Sequence, residues 1–161
     1  MKVAIEPVRS AADVDAVGAL IQEYVAWLGL DLSFQNYDAE IADLSAKYAP
    51  PTGGLFLARG EDGGQPLGCV GITAFRAMPG ACEMKRLYVR DAARGTGAGR
   101  ALAAAAISAA ASLGYCEMLL DTLSTMASAV GLYRALGFEP IPAYYDNPVP
   151  GAIYFRKVLS P

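Results

Sequence analysis

The chain has 161 residues, a length that predicts one domain with a sizeable buried core. Its residues are 54% hydrophobic and 18% charged, which argues against a disordered chain, and a formal net charge of -3 gives no support to a broad nucleic-acid-binding face. The absence of histidine rules out Ser-His-Asp and Cys-His catalysis and His-ligated zinc, so acid–base chemistry falls to carboxylates, Tyr, Lys, Cys or water.

No segment of the chain has the pattern of a membrane span, a signal peptide or a metal site. No apolar run is long enough to cross a bilayer, and the N-terminus lacks the apolar stretch of a signal peptide. The three cysteines, Cys69, Cys82 and Cys116, form no metal-spaced cluster. We therefore expect a cytoplasmic protein with reduced thiols, no bound metal, no membrane association and no nucleic-acid partner.

In chain order, the hydrophobic pattern predicts a strand over 3–9, a helix over 11–28 capped by Ser10 and Gly29, and a shorter helix over 38–48. An antiparallel meander of three strands follows, over 55–58, 67–75 and 82–89. A glycine-rich turn then leads into a long helix to about Leu113, a strand over 118–120, a helix over 126–136, and strands over 141–145 and 152–159. The order β-α-α-β-β-β-α-β-α-β-β predicts a single mixed α/β domain over 1–161.

The segment from Arg94 to Gly99 joins a strand directly to the long helix. Gly95, Gly97 and Gly99 stand at alternate positions, and glycine permits positive φ and close backbone approach. Successive N–H groups can then converge on one anion at the positive end of the helix, and Arg94 and Arg100 add charge. The pattern predicts a pyrophosphate-binding turn, with an ordinary strand–helix connection as the alternative.

Two common nucleotide-binding motifs do not match this turn. A Walker loop requires Gly-Lys-Ser/Thr, which is absent. A Rossmann fingerprint places Gly-x-Gly-x-x-Gly on the first strand of a βαβ unit, whereas these glycines come midway along the chain, after the meander.

Two stretches resemble the GNAT N-acetyltransferase superfamily. Arg94-Gly95-Thr96-Gly97-Ala98-Gly99, preceded by Arg86-Leu87-Tyr88-Val89, is similar to the family's Gln/Arg-x-x-Gly-x-Gly/Ala signature. Leu132-Tyr133-Arg134-Ala135-Leu136-Gly137-Phe138 is similar to its Leu-Tyr-x-x-Leu-Gly-Phe helix end. The element order also matches along nearly the whole chain. The resemblance implies the GNAT fold, a central mixed sheet splayed between its fourth and fifth strands, with helices on both faces.

The resemblance implies that the chain binds acetyl-CoA. The pantetheine arm would pair with free main-chain groups of the fourth strand, and the pyrophosphate would lie on the N–H groups of the glycine-rich turn. The implied cofactor-binding residues are Leu87, Tyr88, Val89, Arg94, Gly95, Thr96, Gly97, Ala98, Gly99, Arg100 and Ser128.

The resemblance also implies that an amine attacks the thioester directly, without an acyl-enzyme. Tyr133 matches the family's tyrosine, and a phenol of pKa about 10 can protonate a departing thiolate. The alternative is a core tyrosine with a structural hydrogen bond. Glu83 is the candidate base, as an alternative to a half-exposed salt bridge with Lys85 on the same strand face. The main-chain N–H of Leu87 or Val89 is the candidate oxyanion donor.

The segment Tyr144-Tyr145-Asp146-Asn147-Pro148 resembles the Tyr-Tyr-x-Asn-Pro segment of one bacterial GNAT subgroup. Tyr144, Tyr145 and Asp146 are candidates for an amine-recognising wall, through cation–π contacts and charge pairing. The alternative is a pair of aromatics that cover the core before a turn. Phe34 lies in the loop where the family's acceptor pocket forms. Together with Glu83 and Lys85, these are the candidate substrate-binding residues.

The predicted activity is acetylation of a primary amine on a small-molecule or amino-acid-like acceptor. Protein or peptide N-acetylation is one alternative, and a non-catalytic acetyl-CoA-binding module is another. A homodimer is common in the family, so the resemblance allows for one.

Overall fold

A seven-stranded mixed sheet organises the computed structural model, which describes residues 2–61 and 63–159. The strands are β1 (Val3–Pro7), β2 (Gly54–Gly60), β3 (Pro66–Ala74), β4 (Ala81–Val89), β5 (Glu117–Leu123), β6 (Glu139–Ile141) and β7 (Ala152–Val158). Their spatial order is β1-β2-β3-β4-β5-β7-β6, and only β4 and β5 run parallel. The predicted mixed α/β class is confirmed, and the predicted element order holds apart from the region of the helix predicted over 38–48.

Helices cover both faces of this sheet. They are α1 (Ala11–Leu28), α2 (Tyr37–Ala42), α3 (Leu44–Lys47), α4 (Ala98–Ser112) and α5 (Ala127–Ala135), with short 3-10 turns at Ser33–Gln35 and Asp91–Ala93. Within the described residues, no helix has the length and apolar character that crossing a bilayer requires.

The two faces of the sheet carry separate cores. On one face, the alanine-rich α4 buries Ala103, Ala106 and Ala110 completely, so small side chains let the helix lie close to the central strands. On the other face, α1 packs Val17, Leu20 and Ile21 against the sheet, together with Leu44 and Tyr48.

Two sequence predictions of local structure are wrong. The helix predicted over 38–48 is two short helices separated at Asp43, whose φ of -149 leaves the helical region while its carboxylate caps α3 through Ala46 N. The strand predicted over 141–145 is Glu139–Ile141 instead. Pro142 has no N–H to extend the ladder, so the chain leaves the sheet before Tyr144 and Tyr145.

The sheet opens between β4 and β5. Parallel pairing runs only from Ala81 opposite Glu117 to Glu83 opposite Leu119, and beyond Glu83 the strand β4 pairs with β3 alone. This is the splay that the resemblance implied.

A bulge in β4 accompanies this opening. Arg86 adopts a φ of 61, and the β3–β4 register shifts beside it by one residue. Its buried guanidinium holds Glu40 in two hydrogen bonds of 3.0 and 2.8 Å, and the Tyr48 hydroxyl donates to the same carboxylate at 2.8 Å. A non-glycine residue in this region costs about 1–3 kcal/mol, so these buried contacts fix a strained bulge at the start of the open strand.

Candidate active site

A groove of about 840 Å³ lies where β4 and β5 separate. Its volume is within the range of about 300–1,000 Å³ typical of small-molecule sites. Most of the predicted cofactor residues line it: Leu87, Tyr88, Val89, Arg94, Gly95, Gly97, Ala98, Gly99 and Ser128.

Along the glycine-rich turn, main-chain N–H groups that bond within the turn alternate with N–H groups that are free to bind a ligand. Thr96 N donates to the Ala93 carbonyl, and Ala98 N donates to the Thr96 hydroxyl, each at 3.3 Å. Within the described part of the chain, the N–H groups of Gly95, Gly97 and Gly99 have no protein acceptor. The sequence prediction treated all five N–H groups alike, whereas Thr96 and Ala98 stabilise the turn itself.

Positive φ values account for this alternation. Gly95 and Gly97 have φ of 79 and 86, and a Cβ at either position would meet no atom within 4 Å. The glycines are therefore required by backbone conformation and not by space. Three free N–H groups at the N-terminus of α4 form a cradle that fits a pyrophosphate.

The two arginines that flank the turn lie in different places. Arg94 borders the groove, where it pairs with Asp91 at 2.7 Å, donates to the Val89 carbonyl at 3.3 Å and lies over the exposed Trp27 ring. Arg100 is exposed and does not line the groove, so its prediction as a phosphate ligand lacks support from its position.

A smaller cavity of about 80 Å³ adjoins the groove on the α1 side of the sheet. The loop after α1 lines it with Leu30, Leu32 and Phe34, in the region predicted for the acceptor. Groove and cavity share six lining residues: Tyr24, Leu28, Leu87, Leu123, Met126 and Tyr133. The two spaces therefore meet at the Tyr133 and Leu87 positions.

Tyr133 is 7% exposed, and its ring packs against Phe138 and Phe155 with centroids 5.8 and 6.2 Å away. Among the described residues, its hydroxyl has no hydrogen-bond partner, and yet no unpartnered side-chain oxygen or nitrogen is fully buried. The hydroxyl must therefore reach the shared space. Burial raises the pKa of Tyr133 above its ordinary value, so the phenol keeps its proton.

Asp121 is a cavity residue that the sequence prediction did not assign a role. It lies on β5, two residues beyond the last pair with β4. The Tyr145 hydroxyl and Asn147 Nδ2 both donate to its Oδ2, at 2.6 and 3.0 Å. Within the described residues Oδ1 has no protein donor. The signal in the sequence was a carboxylate directly after the buried run 118–120.

Glu83, the predicted base, does not line the cavity. It accepts the Tyr144 hydroxyl at 2.8 Å. The half-exposed salt bridge with Lys85, which was the alternative for Glu83, is also absent among the described residues, and Lys85 Nζ donates to Gln35 Oε1 at 3.4 Å. Burial lowers the pKa of Lys85, and the nearby Glu83 charge opposes that effect in part.

The two tyrosines of the 144–148 segment donate to carboxylates and do not line the cavity as an amine-binding wall. Burial, followed by the charges of Glu83 and Asp121, raises the pKa of both phenols, which keeps them as donors. Asp146 is exposed and lines neither space, whereas the next residue, Asn147, lines the cavity. The position of Asp146 therefore gives no support to its predicted role in amine recognition.

Comparisons with known proteins agree with this geometry. Residues 20–138 match the Acetyltransferase (GNAT) family. The chain belongs to this family. It is 44% identical over 158 residues to an uncharacterized N-acetyltransferase of Schizosaccharomyces pombe, covering 98% of this chain and 96% of the relative. It is 34% identical over 151 residues to the IAA acetyltransferase of Azospirillum brasilense, covering 90% and 92%.

A solved structure gives the same result for the fold. A Klebsiella pneumoniae protein described as an acyl-CoA N-acyltransferase aligns with a TM-score of 0.74 and 26% identity, over 98% of this chain and 97% of that one. As a GNAT member, the protein is an acyltransferase enzyme, and the family implies that it uses acetyl-CoA. The free N–H cradle and the open edge of β4 fit that donor.

Proposed function

We propose that the protein transfers the acetyl group of acetyl-CoA to a primary amine on a small acceptor, by direct attack in a ternary complex. One observation carries the proposal: the groove that fits the donor and the small cavity meet at Tyr133 and Leu87. Donor and acceptor can therefore be bound together, with the reacting atoms at the junction.

When bound, acetyl-CoA supplies the thioester carbonyl that the amine attacks and the thiolate that leaves. The Leu87 main chain lies past the last β4–β5 pair, and we assign its N–H the role of donor to the thioester oxygen. The Tyr133 hydroxyl holds the proton that passes to the departing sulfur, and the second proton that the nitrogen loses on forming the amide restores the phenol. The Gly95, Gly97 and Gly99 N–H groups orient the pyrophosphate.

A base must remove the proton of the acceptor ammonium. Asp121 borders the cavity and keeps Oδ1 free, whereas Glu83 lies outside the lining. We therefore assign proton acceptance to Asp121 Oδ1, in place of the Glu83 expected from the sequence.

The size of the cavity limits how much of an acceptor can enter it, which is compatible with a small amine. At about 80 Å³ it is well below the range of about 300–1,000 Å³ typical of ligand pockets. Membership of a bacterial subgroup and a cytoplasmic location stay predictions, and the fission yeast relative does not support a restriction to bacteria.

Two measurements test the proposal. Acetyl-CoA at 100 times its Kd is expected to stabilise the protein by about 2.7 kcal/mol, which a thermal melt detects. Thiol release is then followed over a panel of small amines and a lysine-containing peptide. Stabilisation without turnover of any amine would contradict the enzyme and favour a binding module. Faster turnover of the peptide than of every small amine would contradict the acceptor class.

A further inference from the structure

Two opposite charges border the acceptor cavity without forming an ion pair. Lys85 and Asp121 both line it, and no carboxylate oxygen of the described residues lies within 4.0 Å of Lys85 Nζ. The neighbouring cation, Arg86, is paired with the Glu40 carboxylate through two hydrogen bonds. Lys85 is therefore the cation in this lining that has no bound carboxylate.

A chain of hydrogen bonds holds these two charges apart. Lys85 Nζ donates to Gln35 Oε1 at 3.4 Å, Gln35 Nε2 donates to the Tyr145 hydroxyl at 2.9 Å, and that hydroxyl donates to Asp121 Oδ2 at 2.6 Å. Asn147 also donates to Asp121 Oδ2. The neutral side chains of Gln35 and Tyr145 thus stand between the ammonium and the carboxylate and set their separation.

Each charge keeps hydrogen-bonding capacity that the protein does not use. An ammonium has three N–H donors, and the described residues give Lys85 one long bond. Asp121 has both of its donors on Oδ2, which leaves Oδ1 without a donor among the described residues, and Asp121 lines the cavity. A partly buried ammonium without a close anion is unfavourable in the free protein. A ligand that brings its own anion to Lys85 and its own cation to Asp121 would satisfy both groups.

We propose that the acceptor is a primary amine that also carries an anionic group, with its ammonium at Asp121 Oδ1 and its anion at Lys85 Nζ. This inference rests on the proposed function and names the substrate class of the same site. A carboxylate and a phosphonate share the required chemistry. The apolar Leu30, Leu32 and Phe34 and the small volume of the cavity restrict the linker between amine and anion to a short one.

The test compares amines that differ only in the anion. Thiol release is measured with β-alanine, 2-aminoethylphosphonate and ethylamine, and acetyl-CoA is kept saturating. One charge-assisted contact predicts a kcat/KM about 10- to 100-fold higher for an anion-bearing amine than for ethylamine. The β-alanine and phosphonate arms show which anion the cavity takes. Equal kcat/KM for all three amines overturns the inference.

Substitutions at Lys85 locate the effect. Lys85→Met is expected to bring the ratio of kcat/KM for the preferred anionic amine over ethylamine close to one, and Lys85→Arg to restore most of it. Lys47→Met removes an exposed lysine on α3 and should leave the ratio unchanged. Retention of the wild-type ratio in Lys85→Met overturns the inference. A thermal melt checks that each variant is folded. The comparison of the three amines on the wild-type protein tests the anionic acceptor even if a variant fails to fold.

The failure of this inference is distinct from failure of the proposed function. Turnover of ethylamine as fast as both β-alanine and 2-aminoethylphosphonate contradicts the anionic acceptor alone and leaves an amine acetyltransferase. Absence of thiol release with every amine, despite stabilisation by acetyl-CoA, contradicts the proposed function itself and with it this inference.

Discussion

The donor groove and the acceptor cavity share part of their lining but offer a ligand different kinds of group. The groove offers main-chain groups: three glycine N–H groups at a helix N-terminus and the open edge of β4. The cavity offers side chains, above all Asp121 and Lys85, which reach it from separate strands. Main-chain recognition depends on backbone conformation, whereas side-chain recognition depends on which residues the fold brings together. One donor can thus be shared across a family while acceptors differ.

The largest expected effect lies where the two regions meet. Tyr133→Phe should lower kcat by about 10²–10⁴, because it removes the proton donor for the leaving thiolate. The Kd of acetyl-CoA and the melting temperature should change little, since no described residue bonds to the hydroxyl. Stopped-flow thiol release and thermal melts measure these quantities.

The pKa of Tyr133 adds a pH signature to the same experiment. Burial raises that pKa above its usual value of 10.0, so the phenol keeps its proton to higher pH than a free tyrosine. In the pH profile of wild-type kcat, the loss of activity caused by deprotonation of Tyr133 should therefore lie above pH 10. This alkaline limb should be absent from the profile of Tyr133→Phe. Tyr154→Phe is the matched control, because Tyr154 is similarly buried, with 8% of its surface exposed, and lines neither the groove nor the cavity. A kcat of Tyr133→Phe within threefold of wild type would show that Tyr133 is not the acid.

A smaller effect should be seen on binding of acetyl-CoA alone, when the glycine-rich turn of the donor groove is changed. Gly97→Ala forces a Cβ onto a residue with φ of 86, a change that costs about 1–2 kcal/mol and shifts the N–H groups of the cradle. We expect the Kd of acetyl-CoA to rise about tenfold by calorimetry, with the KM of the amine unchanged.

Gly114→Ala is the control for strain alone. Gly114 has φ of 92, stands at the other end of α4 and also has no atom near its Cβ position. It should lower stability to a similar degree without changing the Kd of acetyl-CoA. Equal Kd changes in the two variants would show that strain, and not the cradle, weakens binding.

The contrast between main-chain and side-chain recognition explains why the sequence predicts the donor groove better than the acceptor cavity. The spacing of Gly95, Gly97 and Gly99 is a local pattern, so the turn and the strand before it were placed correctly from the chain alone. In the described part of the chain, Asp121 and Gln35 are linked through the Tyr145 hydroxyl, which is 24 positions from Asp121 and 110 positions from Gln35. Glu83 and Asp121 each follow buried strand residues, so the local pattern does not decide which one is the cavity carboxylate. That choice depends on where β4 and β5 separate.

The smallest expected effect decides between those two carboxylates. Tyr145→Phe removes the hydroxyl that holds Asp121, and Tyr144→Phe removes the hydroxyl that holds Glu83, from adjacent positions in one loop. A hydrogen bond to an oriented carboxylate contributes modestly, so we expect the KM of the amine to rise about three- to tenfold in Tyr145→Phe. Tyr144→Phe should stay within twofold, and the Kd of acetyl-CoA should be unchanged in both. Both changes keep an aromatic ring, so packing against Tyr154 is retained. The reverse pattern, with the larger KM increase in Tyr144→Phe, would return the role of the base to Glu83.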